Sequence, residues 1–188
     1  DGLKLKGEGP AIVVAPLPLY HIYAFTVHLM ALFEQGDHSV LIANPRDTET
    51  FIKFIKPFKL NAFVGLNTLF VALCNNKEFQ ALDFSTLKIT ASGGMPLTHA
   101  AADEWEAVTK CKVVEGYGLT ETSPVVSFNP PGKQQIGTIG IPVAETIVKI
   151  LDDEGNEVPQ GESGALCVSG PQVMKGYWKR EAATQEIM

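Results

Sequence analysis

The 188-residue sequence predicts an α/β fold: a layered parallel-sheet subdomain with flanking helices over 1–133, joined to part of an antiparallel β-barrel-like subdomain over 134–188. Three observations predict it. Short β-branched runs alternate with longer helical patterns through the first ~120 residues, and such repetition implies a parallel sheet covered by helices. The pattern changes at Pro130-Pro131-Gly132. Beyond it, alternating segments are punctuated by Gly161, Gly164, Gly170 and Gly176, as antiparallel strands joined by turns would be.

The elements follow in order. AIVVA (11–15) reads as a strand. Tyr20 to Glu34 is apolar nearly all round, which predicts a buried helix ended by Gly36. HSVLIA (38–43) is the next strand, and Asp47 to Phe58 an amphipathic helix with Phe51, Ile52 and Ile55 on one side and Pro57 near its end. NAFVGL (61–66) predicts a strand and Thr68 to Asn75 a helix. LKITAS (87–92) is a strand, followed by a helix over Leu97 to Thr109 with Pro96 in its first turn. KVVEGYG (112–118) is the last strand of this unit with its exit loop. Then TIGIPVAETIVKILD (138–152) alternates like half-buried strands, DDEGNE (152–157) is a turn, and GALCVSG (164–170) is a strand. Glu181 to Met188 reads as a helix. The chain begins at Asp1 and stops inside that helix, so both ends are expected to be cut from something longer.

Composition narrows the function classes. A hydrophobic content of 45% supports a real core, and a net charge of −6 with 15 Lys and Arg leaves no electrostatic footprint for nucleic acid. The longest apolar stretch, Ile22 to Phe33, is interrupted by Thr26 and His28 and is shorter than the ~20 residues a membrane span needs. No signal peptide is recognisable. Cys74, Cys111 and Cys167 are odd in number, far apart and in apolar surroundings. That predicts buried free thiols in a reducing compartment, hence a cytoplasmic location.

In parallel sheets with helices on both faces, ligands bind outside the carboxyl ends of the strands. Three segments fall there: LPLYH (17–21), SGGMP (92–96) and EGYGLTE (115–121). In the last, Gly116 and Gly118 flank Tyr117, so the backbone can turn sharply and a flat ligand can come close to the ring. Thr120 offers a hydroxyl and Glu121 a carboxylate, the hard oxygens that Mg²⁺ takes beside a phosphate. Equally, either residue can serve as a helix cap at an ordinary strand-to-helix turn. Gly93 and Gly94 leave room for a planar ring at a helix start, or simply allow tight packing. His21 follows two prolines among Tyr20, Tyr23 and Phe25, where it can orient a substrate carboxylate or be a satisfied structural group. His28, His38 and His99 have no partner pattern and read as structural or surface residues.

Taken in order, PLPLYH, SGGMPL, EGYGLTE, GTIGIP and GALCVSGPQVMKGYW resemble the adenylate-forming superfamily of acyl-CoA ligases, peptide-synthetase adenylation domains and beetle luciferases. The resemblance covers essentially the whole chain. EGYGLTETSP, KGYW and the upstream PLPLYHIYAF look most like bacterial long-chain fatty-acid–CoA ligases. It implies the large-domain fold of these enzymes and a two-step reaction. A fatty-acid carboxylate attacks the α-phosphorus of ATP to give acyl-adenylate and pyrophosphate; the thiol of coenzyme A then takes the acyl group and AMP leaves. By resemblance, Tyr117 stacks on adenine and Gly93 and Gly94 line its other side and the acyl chain. Glu115, Gly116 and Gly118 belong to the same nucleotide loop. Thr120 contacts the α-phosphate, Glu121 holds Mg²⁺, and His21 sits near the fatty-acid carboxylate. Phe25 aligns with an aromatic that gates the fatty-acid tunnel in some relatives, where a tryptophan stands in its place.

The resemblance also implies what falls outside these residues: a Ser/Thr/Gly-rich phosphate loop, a ribose-binding aspartate, and a C-terminal domain with a catalytic lysine. The chain alone is therefore expected to be inactive. It is also expected to self-associate through apolar surface left uncovered. An enzyme for an aryl, short-chain or amino acid, or a nucleotide-binding module without catalysis, are the alternatives. Peripheral contact with the inner membrane surface is known among soluble fatty-acid ligases, and oligomeric state is not legible.

Overall fold

The structure, a computed structural model, describes residues 9–188. Seven strands form one sheet: β1 (Ile12–Ala15), β2 (His38–Leu41), β3 (Ala62–Gly65), β4 (Ile89–Ser92), β5 (Val113–Gly118), β6 (Val125–Phe128) and β7 (Ile141–Pro142), in the order β2-β1-β3-β4-β5-β6-β7. The first five run parallel, with registers such as Val14 opposite Phe63 and Ser92 opposite Glu115. β6 and β7 add antiparallel at one edge. β8 (Ile147–Leu151) and β9 (Ala165–Ser169) form a separate antiparallel hairpin.

The helices are α1, continuous through Ile22–Ala24, Phe25–Ala31 and Leu32–Glu34, then α2 (Thr48–Ile55), α3 (Asn67–Cys74), α4 (Lys77–Gln80), α5 (His99–Thr109) and α6 (Glu181–Ile187). Local chemistry sets their limits. Asp47 Oδ1 accepts the Thr50 N–H at 3.1 Å and caps α2. Thr98 Oγ1 accepts from Ala101 N at 3.2 Å, so α5 starts at His99 and Pro96 lies outside its first turn, contrary to the sequence expectation. Lys110, at φ 60°, ends α5 in the left-handed region.

Two cores sandwich the sheet, as expected for strands buried on both faces. On one face α2, α3 and α5 pack Phe51, Phe70 and Trp105 over Val14, Phe63 and Val113. The Trp105 indole N–H donates to Thr90 Oγ1 at 2.9 Å, which satisfies the one polar atom of the largest buried side chain. On the other face α1 lays Leu32, Val27 and Tyr23 over Val13, Ala62, Val64, Ile89 and Val114.

Several expectations are corrected. α1 is not buried all round: Ala24, His28 and Leu32 face the sheet, while Met30 is 55% and Phe33 78% exposed. A helix lying on a single sheet face can bury only one stripe, whatever its composition. Its middle, Phe25–Ala31, is π-helical, and Leu32 N–H bonds to Val27 O at five-residue spacing. β6 was not anticipated, and 138–152 is not a pair of like strands. Ile141–Pro142 belongs to the large sheet, so a change of sheet comes after residue 142 rather than at the proline pair. Cys74 and Cys111 are buried free thiols, but Cys167 is exposed, because it lies on a hairpin strand with no described layer over that face.

Candidate active site

The loops singled out by sequence converge at the carboxyl edge of the parallel strands. His21 caps the start of α1: its Nδ1 accepts the Tyr23 N–H at 3.2 Å and the ring is exposed. Phe25 opens the π-helical segment and is 43% exposed. Tyr23, which the sequence did not single out, lies at the junction. A Cβ added at Gly93 would stand 3.3 Å from the Tyr23 ring and 3.5 Å from Gly116 O. Gly93 therefore marks where α1, the β4 exit loop and β5 come together. Burial pushes the Tyr23 phenol well above its ordinary range. Gly94 turns the chain at φ 80°, in the region that favours glycine.

β5 divides the site. Alternation puts Val113, Glu115 and Tyr117 on one face and Val114 and Gly116 on the other. Val113 packs in the α5-side core and Val114 in the α1-side core. Gly116 thus opens toward α1, and Tyr117 toward α5. The register shifts between Tyr117 and Gly118, and a Cβ at Gly118 would overlap the Pro124 carbonyl. Only glycine permits that close approach.

Glu115 is buried and acts as a brace. Its Oε1 accepts from Leu97 N at 3.0 Å and its Oε2 from Gly137 N at 2.8 Å, while its carbonyl accepts from Asn129 N at 2.8 Å. The carboxylate thereby ties the SGGMPL loop to the GTIGIP loop rather than pointing into open space.

Thr120 and Glu121 begin a single 3₁₀ turn, Thr120–Thr122. Neither caps it. The turn is locked by Thr122, whose buried Oγ1 accepts from Leu119 N at 2.9 Å and donates toward Pro124 O at 2.6 Å. The Thr120 hydroxyl is exposed and carries no hydrogen bond among the described residues, and Glu121 is half-buried beside it. The Tyr177 hydroxyl donates to Glu121 Oε1 at 2.5 Å, and Met174 N–H donates to Glu121 O at 2.8 Å. The phenol hydrogen bond holds the Glu121 carboxyl below its usual range.

These donors suit a hard cation. Among the described residues no group of three or more His, Cys, Asp and Glu could hold a metal ion alone. One carboxylate beside a hydroxyl fits Mg²⁺, which takes few protein ligands and completes its shell with phosphate and water oxygens. Clefts lined by Pro57, Phe58 and Leu82, and by Leu87, Lys110 and Gln134, lie at the opposite, amino-terminal edge. The candidate site is therefore an open edge built from loops.

Of the predicted residues, His21, Gly93, Gly94, Glu115, Gly116, Tyr117, Gly118, Thr120 and Glu121 fall at this edge, and Phe25 lies one turn into α1. Tyr23, Thr122, Asn129 and Tyr177 were missed. Tyr177 stood inside the KGYW segment, but only the fold reveals its partner.

Comparison with known proteins identifies the family and the fold. The profile of the AMP-binding enzyme family matches residues 4–178. A long-chain-fatty-acid–CoA ligase of Escherichia coli O6:H1 is 50% identical over 185 residues, covering 98% of this chain and 33% of the relative. The ligase of the same description from Haemophilus influenzae is 45% identical over 176 residues, 93% of this chain and 31% of the relative. The crystal structure of a long-chain-fatty-acid-CoA ligase from Archaeoglobus fulgidus superposes with a TM-score of 0.82 at 26% identity, over 94% of this chain and 37% of that one. The chain thus spans about a third of the length of the curated relatives it matches.

Proposed function

The chain belongs to the AMP-binding enzyme family, and on that premise we propose that it is the central part of a long-chain fatty-acid–CoA ligase. The reaction joins a fatty-acid carboxylate to the α-phosphate of ATP with release of pyrophosphate, then passes the acyl group to coenzyme A with release of AMP. The observation that carries this reading is the 50% identity to a bacterial long-chain-fatty-acid–CoA ligase over 98% of this chain.

The geometry supports a division of labour across β5. On the α1 side, His21 and Phe25 would meet the acid and its chain, beside the close junction of Tyr23, Gly93 and Gly116. On the α5 side, Tyr117 would offer its ring face to adenine, and Gly94 would let the base approach the backbone. Between them, the Thr120 hydroxyl would donate to the α-phosphate and Glu121 would hold Mg²⁺. Bound there, Mg²⁺ supplies positive charge against the phosphates. No protein nucleophile is needed, because the work is to align two anions in line and offset their repulsion with fixed donors. The Glu115 carboxylate serves this scheme by fixing the loops around the nucleotide. A cytoplasmic location with contact at the inner membrane surface belongs to the same reading. No helix of the described residues is long and apolar enough to cross a membrane.

The test is pyrophosphate release by the full-length protein with ATP, Mg²⁺ and a panel of acids from acetate through oleate to aromatic and amino acids. Preference for long chains is the expected result. Preference for another acid keeps the adenylating mechanism and removes the fatty-acid assignment.

A further inference from the structure

We propose that Tyr177 is a positioning residue for the metal carboxylate, holding Glu121 so that one oxygen is engaged by the protein and the other is presented to the cation. The inference rests on the Mg²⁺ role proposed for Glu121.

Glu121 stands on a one-turn 3₁₀ segment at the edge of the sheet. A half-exposed glutamate in such a place ordinarily samples several rotamers, and freezing them costs free energy each time a ligand binds. Here the side chain is already held. The Tyr177 hydroxyl donates to Oε1, and Glu121's own backbone N–H adds a weaker hold on the carboxylate. A carboxylate with one oxygen occupied meets a metal through the other, as a single ligand. That suits the near-octahedral shell of Mg²⁺, which the narrow bite of a bidentate carboxylate would distort.

Tyr177 is itself fixed from behind. Its N–H donates to Thr184 Oγ1 at 2.9 Å, and that hydroxyl donates to Arg180 O at 3.0 Å at the start of α6. Gly176, at φ 141°, passes so close to Thr184 that an added Cβ would stand 2.7 Å from its methyl group. Three residues earlier in the chain than Tyr177, Met174 N–H bonds to Glu121 O at 2.8 Å. The segment Met174 to Tyr177 therefore grips Glu121 at both main chain and side chain, 56 residues away in sequence for the side-chain bond. Further back, Gln172 Nε2 donates to Val125 O at 3.2 Å and to Thr146 Oγ1 at 2.7 Å, joining the same strap to β6 and to the approach of β8. The glycine-rich GPQVMKGYW run, which by itself indicates only turns, acquires a purpose: it delivers one phenol to one carboxylate. Partners that hydrogen-bond a metal-ligating carboxylate orient it and tune its affinity, and losing one typically weakens metal binding about 10- to 100-fold. The exposure of this pair places the effect at the lower end.

The experiment is Mn²⁺ binding to the full-length protein in the presence of a non-hydrolysable ATP analogue, read from the electron paramagnetic resonance signal of free Mn²⁺. Tyr177→Phe removes only the hydroxyl. It is expected to weaken Mn²⁺ binding about tenfold, at the lower end of such losses, and to raise the Mg²⁺ concentration for half-maximal pyrophosphate release by the same factor. kcat at saturating Mg²⁺ and KM for the acid stay within about twofold in that variant. Thr184→Ala leaves the phenol in place but removes the acceptor of its N–H, and should shift the metal constant in the same direction by less. Adding Tyr177→Phe to Glu121→Gln should produce no further loss. Unchanged Mn²⁺ binding in Tyr177→Phe, alongside weakened binding in Glu121→Gln, overturns the role of Tyr177 and leaves the metal reading standing. Unchanged binding in Glu121→Gln overturns the metal reading itself, and this inference with it.

Discussion

Replacing Glu115 should loosen two loops at once. Its carboxylate accepts the Leu97 N–H on one oxygen and the Gly137 N–H on the other, in a buried setting. Glutamine is nearly isosteric but has one acceptor, so its NH₂ group must face one of the two N–H donors. A buried hydrogen bond to a charged group contributes about 1.5–3 kcal/mol, and an orphaned donor costs a comparable amount. Glu115→Gln should therefore destabilise by about 2 kcal/mol, and Glu115→Ala, which orphans both amides, by about 3–5 kcal/mol. Two readouts check this. The urea midpoint gives the global loss, and amide hydrogen exchange gives its location. Exchange at Leu97 and Gly137 should accelerate about 10- to 100-fold in the variants, with little change at the core amides of β1 and β3. A glutamine variant within about 0.5 kcal/mol of wild type, with both amides still protected, would refute the brace.

Two further outcomes follow from the same geometry. Burial lowers the His28 imidazole from 6.5 to about 4, so the unfolded chain takes up the proton first. Its contribution is therefore complete above pH 6.5 and is lost as pH falls from 6.5 toward 4, by about 3 kcal/mol in total. Urea midpoints across that window should fall less steeply in His28→Leu than in wild type, and identical slopes would contradict the assignment. Gly118→Ala should push the backbone off the Pro124 carbonyl and break the 3.0 Å bond from Leu119 N to Pro124 O. Misplacement of the Thr120–Glu121 turn by about 1 Å should slow pyrophosphate release on the order of 10²-fold, while a rate equal to wild type would show that the turn tolerates the shift.

Much of this fold can be read from local pattern. The runs around Val13, Phe63 and Val113 are short, β-branched or aromatic, and bounded by turn residues, so the parallel strands are visible without any partner. Asp47 is an ordinary cap residue before apolar periodicity, whereas the sequence expectation passes over the Thr98 cap in favour of Pro96. What the sequence hides depends on contacts far along the chain. β6 is four residues long and β7 two, and each is a strand only because of the neighbour it pairs with. α1 is apolar on every side, so its exposed stripe could not be told from its buried one until the sheet was in place. Its π-helical centre has no compositional marker. The motif residues of the candidate site stood out because the glycines and the Thr120–Glu121 pair form compact signatures, to which the family resemblance attached roles. Tyr177 was not, because no spacing rule links a tyrosine to a carboxylate 56 residues upstream. Glu115 was legible as part of a motif but not in its role, which depends on two amides from loops on either side of it in sequence.

The most direct test of the account is a single-turnover reaction of the full-length protein with oleate, ATP and Mg²⁺ in the absence of coenzyme A. The account predicts bound oleoyl-adenylate and an equal amount of pyrophosphate, both suppressed on the order of 10²-fold in Glu121→Ala. Release of ADP and inorganic phosphate instead, or undiminished adenylate in Glu121→Ala, would contradict it.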